Sequence, residues 1–415
     1  MKKNMLIAQS GGPSAVINAS LAGAIKKAMK SKNIGKIYGG IHGLQGILEG
    51  QIIDIKKQIK NGADLKKLAE TPAMALGSCR FKLAKTPDKN YKKVFEICKK
   101  LNIGYFFYIG GNDSMDTVKN LSEYFASLGE NILGIGIPKT IDNDLCITDH
   151  TPGFASAAKY VATAISETFI DASVYPQKTV MIVEIMGRNA GWLVASSALA
   201  RLMPAAKNAP DLIYFPEIPF DEDDFIKRID NLSNKKTTIV VAVSEGIKNK
   251  KGEYLAESKT RGVSDKFGHA ALGGAGKYLE SLLLKKLAKK KLKTRAVELN
   301  ILQRVGGHIV SKTDFKEAFK VGEIGVKYAL AGKNGVMPTI KRISDNPYKV
   351  EYIETNIDKI ANFEKKIPNS FISKSGIDIT KKMLNYLKPL IEGEHKIIYK
   401  NGLPDFFSFD WNKTI

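Results

Sequence analysis

The sequence predicts an α/β fold with mainly parallel strands, on three observations. Short β-rich apolar runs alternate with segments of helical periodicity along most of the chain. Several runs are apolar on both faces, as central strands covered by helices on both sides must be. Glycine-rich turns directly follow several of the runs, the place where an open α/β sheet meets its ligands. In chain order the candidate strands are Met5–Ala8, Lys36–Tyr38, Tyr105–Ile109, Ile132–Ile137, Val180–Glu184, Leu212–Phe215, Thr238–Ser244 and Ala296–Leu299. The helix after Pro13-Ser14 puts Ile17, Leu21, Ile25 and Met29 on one stripe. Further helices are expected after Ser114, Thr151, Gly191 and Phe220, and a long one ending in the basic block near Lys293. No repeat, low-complexity linker or Pro-rich hinge marks a domain boundary.

The chain is long enough, at 415 residues, for two cores. Apolar residues make up 44% and charged residues 26%, an ordinary globular balance. The 3 cysteines, Cys79, Cys98 and Cys146, are odd in number and widely spaced. That excludes a disulfide framework and a cysteine-type zinc site, and suits a reducing compartment. The 5 histidines show no metal-ligand spacing. The opening apolar run stops at Gln9-Ser10-Gly11-Gly12, too short for a signal peptide, and no stretch has the length to cross a bilayer. The reading therefore expects a cytoplasmic protein with no membrane partner.

Lysine and arginine number 64 against 42 acidic residues, a net charge of +22. The densest block, Lys285 to Lys293, interleaves with Leu283, Leu284, Leu287 and Leu292, as on an amphipathic helix with a solvated basic face. No aromatic-interleaved basic stripe or DNA-binding motif accompanies it, so nucleic acid is not the expected partner. Small polyanions fit the charge.

Four strand-to-helix turns carry chemistry. Gln9-Ser10-Gly11-Gly12-Pro13-Ser14 lets backbone amides approach an anion ahead of a helix N-terminus, although a plain tight turn has the same pattern. Gly110-Gly111-Asn112-Asp113-Ser114 repeats the logic and adds an acid, which can hold a metal, position a basic partner or cap the helix. Pro138-Lys139-Thr140-Ile141-Asp142-Asn143-Asp144 places two carboxylates beside a lysine and a threonine, enough for one general base and one metal ligand. Met186-Gly187-Arg188-Asn189-Ala190-Gly191 offers a guanidinium to a phosphoryl group. Arg80, Arg295 and Arg304 stand near glycine-rich stretches and suggest phosphates at more than one point. There is neither a Walker A sequence nor the H-R-D and D-F-G set of protein kinases.

In order, Gly11-Gly12, Gly77-Ser78-Cys79-Arg80-Phe81, Gly110–Ser114, Thr140–Asp144, Met186-Gly187-Arg188, Pro216-Glu217 and Gln303-Arg304 resemble the 6-phosphofructokinase family, over roughly residues 4 to 335. Two positions resemble its pyrophosphate-dependent branch: Asp113 and Lys139 stand where ATP users have glycine. A carboxylate there would oppose a nucleotide's α-phosphate, while Lys139 can neutralise Asp113 and bind the bare diphosphate as a point charge. Asp265-Lys266-Phe267-Gly268-His269 and Ser311-Lys312-Thr313-Asp314 also look like this branch.

The resemblance implies two Rossmann-like three-layer domains. Residues 1–153 with about 302–355 would handle the phosphoryl donor, and 154–301 with about 356–415 the sugar phosphate. It implies reversible, Mg²⁺-dependent transfer from pyrophosphate to the 1-hydroxyl of fructose 6-phosphate, releasing phosphate. The catalytic residues would be Asp142 as general base, with Lys139, Asp113 and Arg188. Thr140, Asp142, Met186, Gly187, Arg188, Glu217, Arg295 and Arg304 would contact fructose 6-phosphate. Gly11, Gly12, Arg80, Asn112, Asp113 and Lys139 would bind pyrophosphate. Asp144 and Asn112 would hold the metal, although many members have aspartate where this chain has Asn112. Some members supply an arginine from a neighbouring subunit just before the Glu184-to-Arg188 stretch, where Lys178 is the local stand-in. A homodimer or homotetramer is implied. The competing readings are an ATP-dependent 6-phosphofructokinase and, more remotely, a non-catalytic polyanion-binding protein. The segment from about Asn346 to Ile415 matches no motif, and its Leu403-Pro404-Asp405-Phe406-Phe407 stretch is expected to serve packing or subunit contact.

Overall fold

The computed structural model describes residues 2–255 and 274–415. The Asp265–His269 motif lies outside the described residues. Eleven strands build the two main sheets: β1 (Lys3–Gln9), β2 (Ile34–Gly40), β3 (Ile52–Asp54), β4 (Ile103–Gly110), β5 (Leu133–Pro138), β6 (Thr179–Ile185), β7 (Leu212–Tyr214), β8 (Thr238–Ser244), β9 (Lys293–Glu298), β10 (Val336–Asp345) and β11 (Tyr348–Asn356). The chain forms two compact units, residues 1–156, 304–364 and 393–415 in one, and 157–303 and 365–392 in the other.

The first unit holds a seven-stranded sheet in the order β11-β10-β5-β4-β1-β2-β3. The central pairs are parallel, and antiparallel β3 and β11 close the two edges. Alternate side chains of the strands feed two cores, so the sheet is the middle of three layers. Met5, Ile7, Phe107 and Ile109 pack with helices Ile17–Met29 and Lys312–Leu330 on one face. Leu6, Ala8, Phe106 and Tyr108 pack with helices Lys89–Lys100 and Asn112–Ser127 on the other. The helices on the first face cross closely because glycine sits at the crossing. A Cβ on Gly23 would lie 2.0 Å from Phe319 O, and one on Gly322 2.0 Å from Ser20 O.

The second unit holds the all-parallel sheet β7-β8-β6-β9. Every residue of β6 and β8 is buried, the mark of central strands covered on both faces. On one face Val180, Ile182, Val241 and Val243 pack against Phe225, Ile229, Leu279 and Leu283.

Three expectations are revised. The basic block is not one helix: helix Ala275–Lys286 ends there, a 3-10 turn covers Ala288–Lys290, and Lys293 already begins β9. Leu284 consequently points outward, 52% exposed. The Asn112-Asp113-Ser114 stretch forms the first turn of its helix rather than preceding it. Residues 393–415, expected with the sugar-phosphate half, belong to the first unit, where Phe409 enters the core and Ile415 N donates to Ile52 O. The hairpin β10–β11 is an addition: Pro338 and Thr339 interrupt the short buried start of β10, polar and charged residues dominate its second half, and they alternate with apolar ones through most of β11.

Candidate active site

In the first unit the chemistry gathers at the carboxyl ends of β1, β4 and β5. Gly11 has φ +79°, a left-handed turn that glycine adopts without strain. A Cβ there would lie 3.2 Å from Lys139 Nζ, and one on Gly12 3.4 Å from Arg304 Nη1. The two cations therefore face the glycine turn directly, and Arg304, expected on the sugar phosphate, stands beside Gly12 in the first unit instead. Ser78 Oγ donates to Gly11 O at 2.8 Å, joining the Gly77–Phe81 segment and its exposed Arg80 to the same turn.

Lys139 is only 3% exposed. Burial pushes its ammonium down to about 8, while the Asp142 and Asp144 carboxylates pull the other way and Arg304 adds to the fall. Among the described residues its Nζ has no hydrogen-bond or ion-pair partner, so a buried positive charge faces the turn. The sequence reading paired it with Asp113. The structure instead pairs Asp113 with Lys82, Nζ to Oδ1 at 3.1 Å. Asp113 does not cap its helix either, since the N-cap is Gly111 with no side-chain bond. A 67% exposed carboxylate in the first helical turn is held by a lysine that motif spacing did not single out.

The Lys139–Asp144 turn is held from several directions. Asp142 N donates to Thr140 Oγ1, and Thr151 Oγ1 donates to Thr140 O. Asn143, fully buried with φ +56°, accepts from Thr151 N through Oδ1. Beyond it His150, also fully buried, bonds Asp149 Oδ1 at 2.7 Å and Glu317 Oε2 at 2.6 Å. Burial alone would lower the imidazole, but Glu317 and Asp149 outweigh it and raise it to about 9. Asp314 accepts from Gly153 N and Ser156 N, fixing the exit of the loop. Spacing could not find Asn143, His150 and Glu317 as supports; the left-handed tendency of asparagine was the one local signal for Asn143.

Asn112 and Asp144 carry oxygens of the kind a divalent cation takes. Asn112 Nδ2 donates to Phe363 O at 2.7 Å, which fixes the amide, and its Oδ1 is buried and accepts no hydrogen bond among the described residues. A hard cation takes such an oxygen, and the Asp144 carboxylate is of the same class. No group of three or more His, Cys, Asp or Glu suited to a metal occurs among the described residues. The donors present thus fit an ion that keeps waters and substrate phosphates as its other ligands, as Mg²⁺ does.

The second unit carries the other set. Gly187 has φ +131°, and a Cβ on it would lie 2.7 Å from Ala190 O. Met186 N donates to Gln303 Oε1, Gly187 N to Glu245 Oε1, and Ser244 Oγ to Gly187 O. The turn that presents half-buried Arg188 is therefore pinned at three points. Glu217 Oε1 accepts from Gly191 N at 2.9 Å and from Ile367 N at 3.3 Å. Its Oε2 is buried without a hydrogen bond among the described residues, and burial raises the carboxyl above the usual range. A buried acceptor of this kind suits a ligand hydroxyl. Arg295 is not brought to this turn. It lies on the edge strand β9 opposite Met181, about 16 Å along the strand direction from Met186 at some 3.3 Å per residue. There it lines a cavity of about 590 Å³ with Glu167, Asp171, Lys277 and Glu280.

Known proteins resemble this chain over most of its length. Residues 4–322 match the Phosphofructokinase family. A Xanthomonas campestris protein named pyrophosphate--fructose 6-phosphate 1-phosphotransferase is 40% identical, over 98% of this chain and 96% of that one. A protein of the same name from Halomonas elongata is 41% identical over 97% and 94%. The crystal structure of a pyrophosphate-dependent phosphofructokinase from Nitrosospira multiformis, 40% identical, superposes with a TM-score of 0.87 over 98% of this chain and 96% of that one. The family match over residues 4–322 and relatives about 40% identical over nearly the whole length agree: this chain belongs to the phosphofructokinase family.

Proposed function

We propose that the chain is a pyrophosphate-dependent 6-phosphofructokinase, transferring a phosphoryl group reversibly from pyrophosphate to the 1-hydroxyl of fructose 6-phosphate. The observation that carries the donor assignment is Lys139. Its buried charge stands against the Gly11 turn, with no hydrogen bond to it among the described residues. A small, densely charged anion satisfies such a group best. Asp113 adds negative charge in the neighbouring helical turn, where it opposes a nucleotide's α-phosphate.

In this reading the first unit binds the donor through Gly11, Gly12, Arg80, Asn112, Asp113 and Lys139. Asp142 takes the proton of the 1-hydroxyl as its oxygen attacks the near phosphorus in line. The P–O bond to the outer phosphate breaks, and phosphate leaves with the bridging oxygen. Asp142 then returns its proton to the leaving phosphate or to solvent. Positioning and charge neutralisation supply most of the acceleration. Asn112 and Asp144 would hold a Mg²⁺ ion, which would neutralise phosphate charge. Arg304, beside Gly12, adds charge on the donor side. In the second unit Met186, Gly187, Arg188 and Glu217 contact the sugar phosphate, Glu217 Oε2 accepting from a sugar hydroxyl. A cytoplasmic homodimer or homotetramer completes the reading. No described helix is long and apolar enough to cross a membrane.

The test is an assay with fructose 6-phosphate and Mg²⁺ that compares pyrophosphate with ATP. Turnover with pyrophosphate is expected. Turnover with ATP and none with pyrophosphate would overturn the donor assignment.

A further inference from the structure

The closing segment of the chain, residues 393–415, matched no motif, yet it is anchored in the first unit at point after point. Glu394 bridges to Ser311 as an isolated antiparallel pair. The His395 ring stacks on Phe315 at 3.6 Å, and its Nε2 meets Glu70 Oε1 at 3.3 Å. Glu70, 3% exposed, also accepts from Ile398 N. Asp405 pairs with Lys67 at 2.5 Å, and Phe407 N donates to Thr71 Oγ1. Asp410 and Gln58 exchange two hydrogen bonds, Asp410 N to Gln58 Oε1 and Gln58 Nε2 to Asp410 O.

Several of these contacts fall on Lys67, Glu70 and Thr71, at the start of the stretch 67–78. From the interior, Asn18 Nδ2 donates to Thr71 O and Asn18 Oδ1 accepts from Ala75 N. Gln9, the residue just before the Ser10-Gly11-Gly12 turn, accepts from Leu76 N and donates to Asn18. From the outside, Trp411 Nε1 donates to Ala75 O at 3.0 Å. The Trp411 ring meets His42 edge-on at 4.8 Å. His42 in turn closes on Gly77, where a Cβ would lie 2.6 Å from its Nδ1. The next residue, Ser78, donates to Gly11 O. A continuous path of contacts therefore runs from Trp411 through Ala75 and His42 to Ser78 and the Gly11 turn.

We propose that residues 393–415 are a strap that sets the geometry of the phosphoryl-donor turn, with Trp411 as a positioning residue acting through Ala75, His42 and the Ser78–Gly11 hydrogen bond. The strap's contacts named above all lie within the first unit, on the side assigned to the donor, so its effect is expected on the donor rather than on fructose 6-phosphate. This rests on the assignment of the Gly11 turn to the donor.

The experiment uses the full chain with Trp411→Phe, which keeps the ring and removes the N–H, and Trp411→Ala, which removes both. Steady-state KM is measured for the donor and for fructose 6-phosphate, alongside thermal unfolding. Loss of the N–H raises the donor KM about 2- to 10-fold, the range a single lost hydrogen bond supports, and alanine raises it further. The KM for fructose 6-phosphate and kcat stay within about twofold in both variants. His42→Ala, which breaks the path at its second link, shifts the donor KM in the same direction. If Trp411→Ala fails to fold, the phenylalanine and His42 variants still decide. An unchanged donor KM in folded variants overturns the strap, as does an equal rise in both KM values. The reading it rests on fails separately: wild-type protein that turns over ATP and not pyrophosphate overturns the donor identity, and the strap is then read on the KM for ATP.

Discussion

In the proposed function the two units meet their ligands by opposite means. The first offers buried positive charge and bare backbone, Lys139 and Arg304 against Gly11 and Gly12. The second offers a buried acceptor, Glu217 Oε2, on a carboxylate tied down by two backbone N–H groups. A diphosphate is nearly all charge, so it is recognised by cations with no Cβ in the way. A sugar has hydroxyls to be counted and placed, so it is recognised by fixed acceptors whose desolvation is worth recovering only when the right donor arrives. The proposed base, Asp142, sits on the charged side, in the loop that Asn143, Thr151 and Asp314 immobilise.

That contrast can be broken in order of expected effect. Asp142→Ser should lower kcat by about 10³-fold, with both KM values little changed, if the carboxylate removes the hydroxyl proton; near-normal turnover in a rapid-mixing assay would remove it from that role. Asp113→Gly combined with Lys139→Gly should lower kcat/KM for pyrophosphate by about 10²-fold and leave the KM for fructose 6-phosphate almost unmoved. Loss of both affinities together would mean that the units do not divide the ligands as described. Glu217→Gln should do the converse, raising the KM for fructose 6-phosphate about tenfold while the donor KM holds.

The pH dependence sharpens the same distinction. Lys139 is charged below about 8 and neutral above it, against an ordinary value of 10.5. The charged form binds the anionic donor, so the donor KM should rise as pH climbs through 8, and the Lys139→Met variant should lack that limb. Stability moves the other way. Between about 8 and 10.5 the unfolded chain binds the proton that the native chain has released, so this group's burial penalty is present below 8 and relieved as pH rises through that window. The smallest effect is expected from Lys82→Ala. Its partner Asp113 is largely exposed, so donor kcat/KM should change by no more than about twofold.

Much of the architecture was legible because burial on both faces writes continuous apolar runs. Tyr105–Ile109, Val180–Glu184 and Thr238–Ser244 lie within β4, β6 and β8 of the parallel sheets. The turns after them were legible because glycine and paired carboxylates are costly choices with few uses. The hairpin β10–β11 was hidden by its mixed polar pattern, and the helix Lys89–Lys100 by a polar face that outnumbers its buried Tyr91, Val94 and Cys98.

By itself the order of residues determined the α/β class and the family, and pointed to the turns proposed to carry chemistry, since those depend on local periodicity and on side-chain types that few other roles require. Only the folded chain decided that Asp113 answers to Lys82, that Lys139 is stripped of water beside Gly11, and that Trp411 reaches back to Ala75. Each of these joins residues 31 to 336 positions apart or depends on burial, and neither partner choice nor desolvation is set before distant segments pack together.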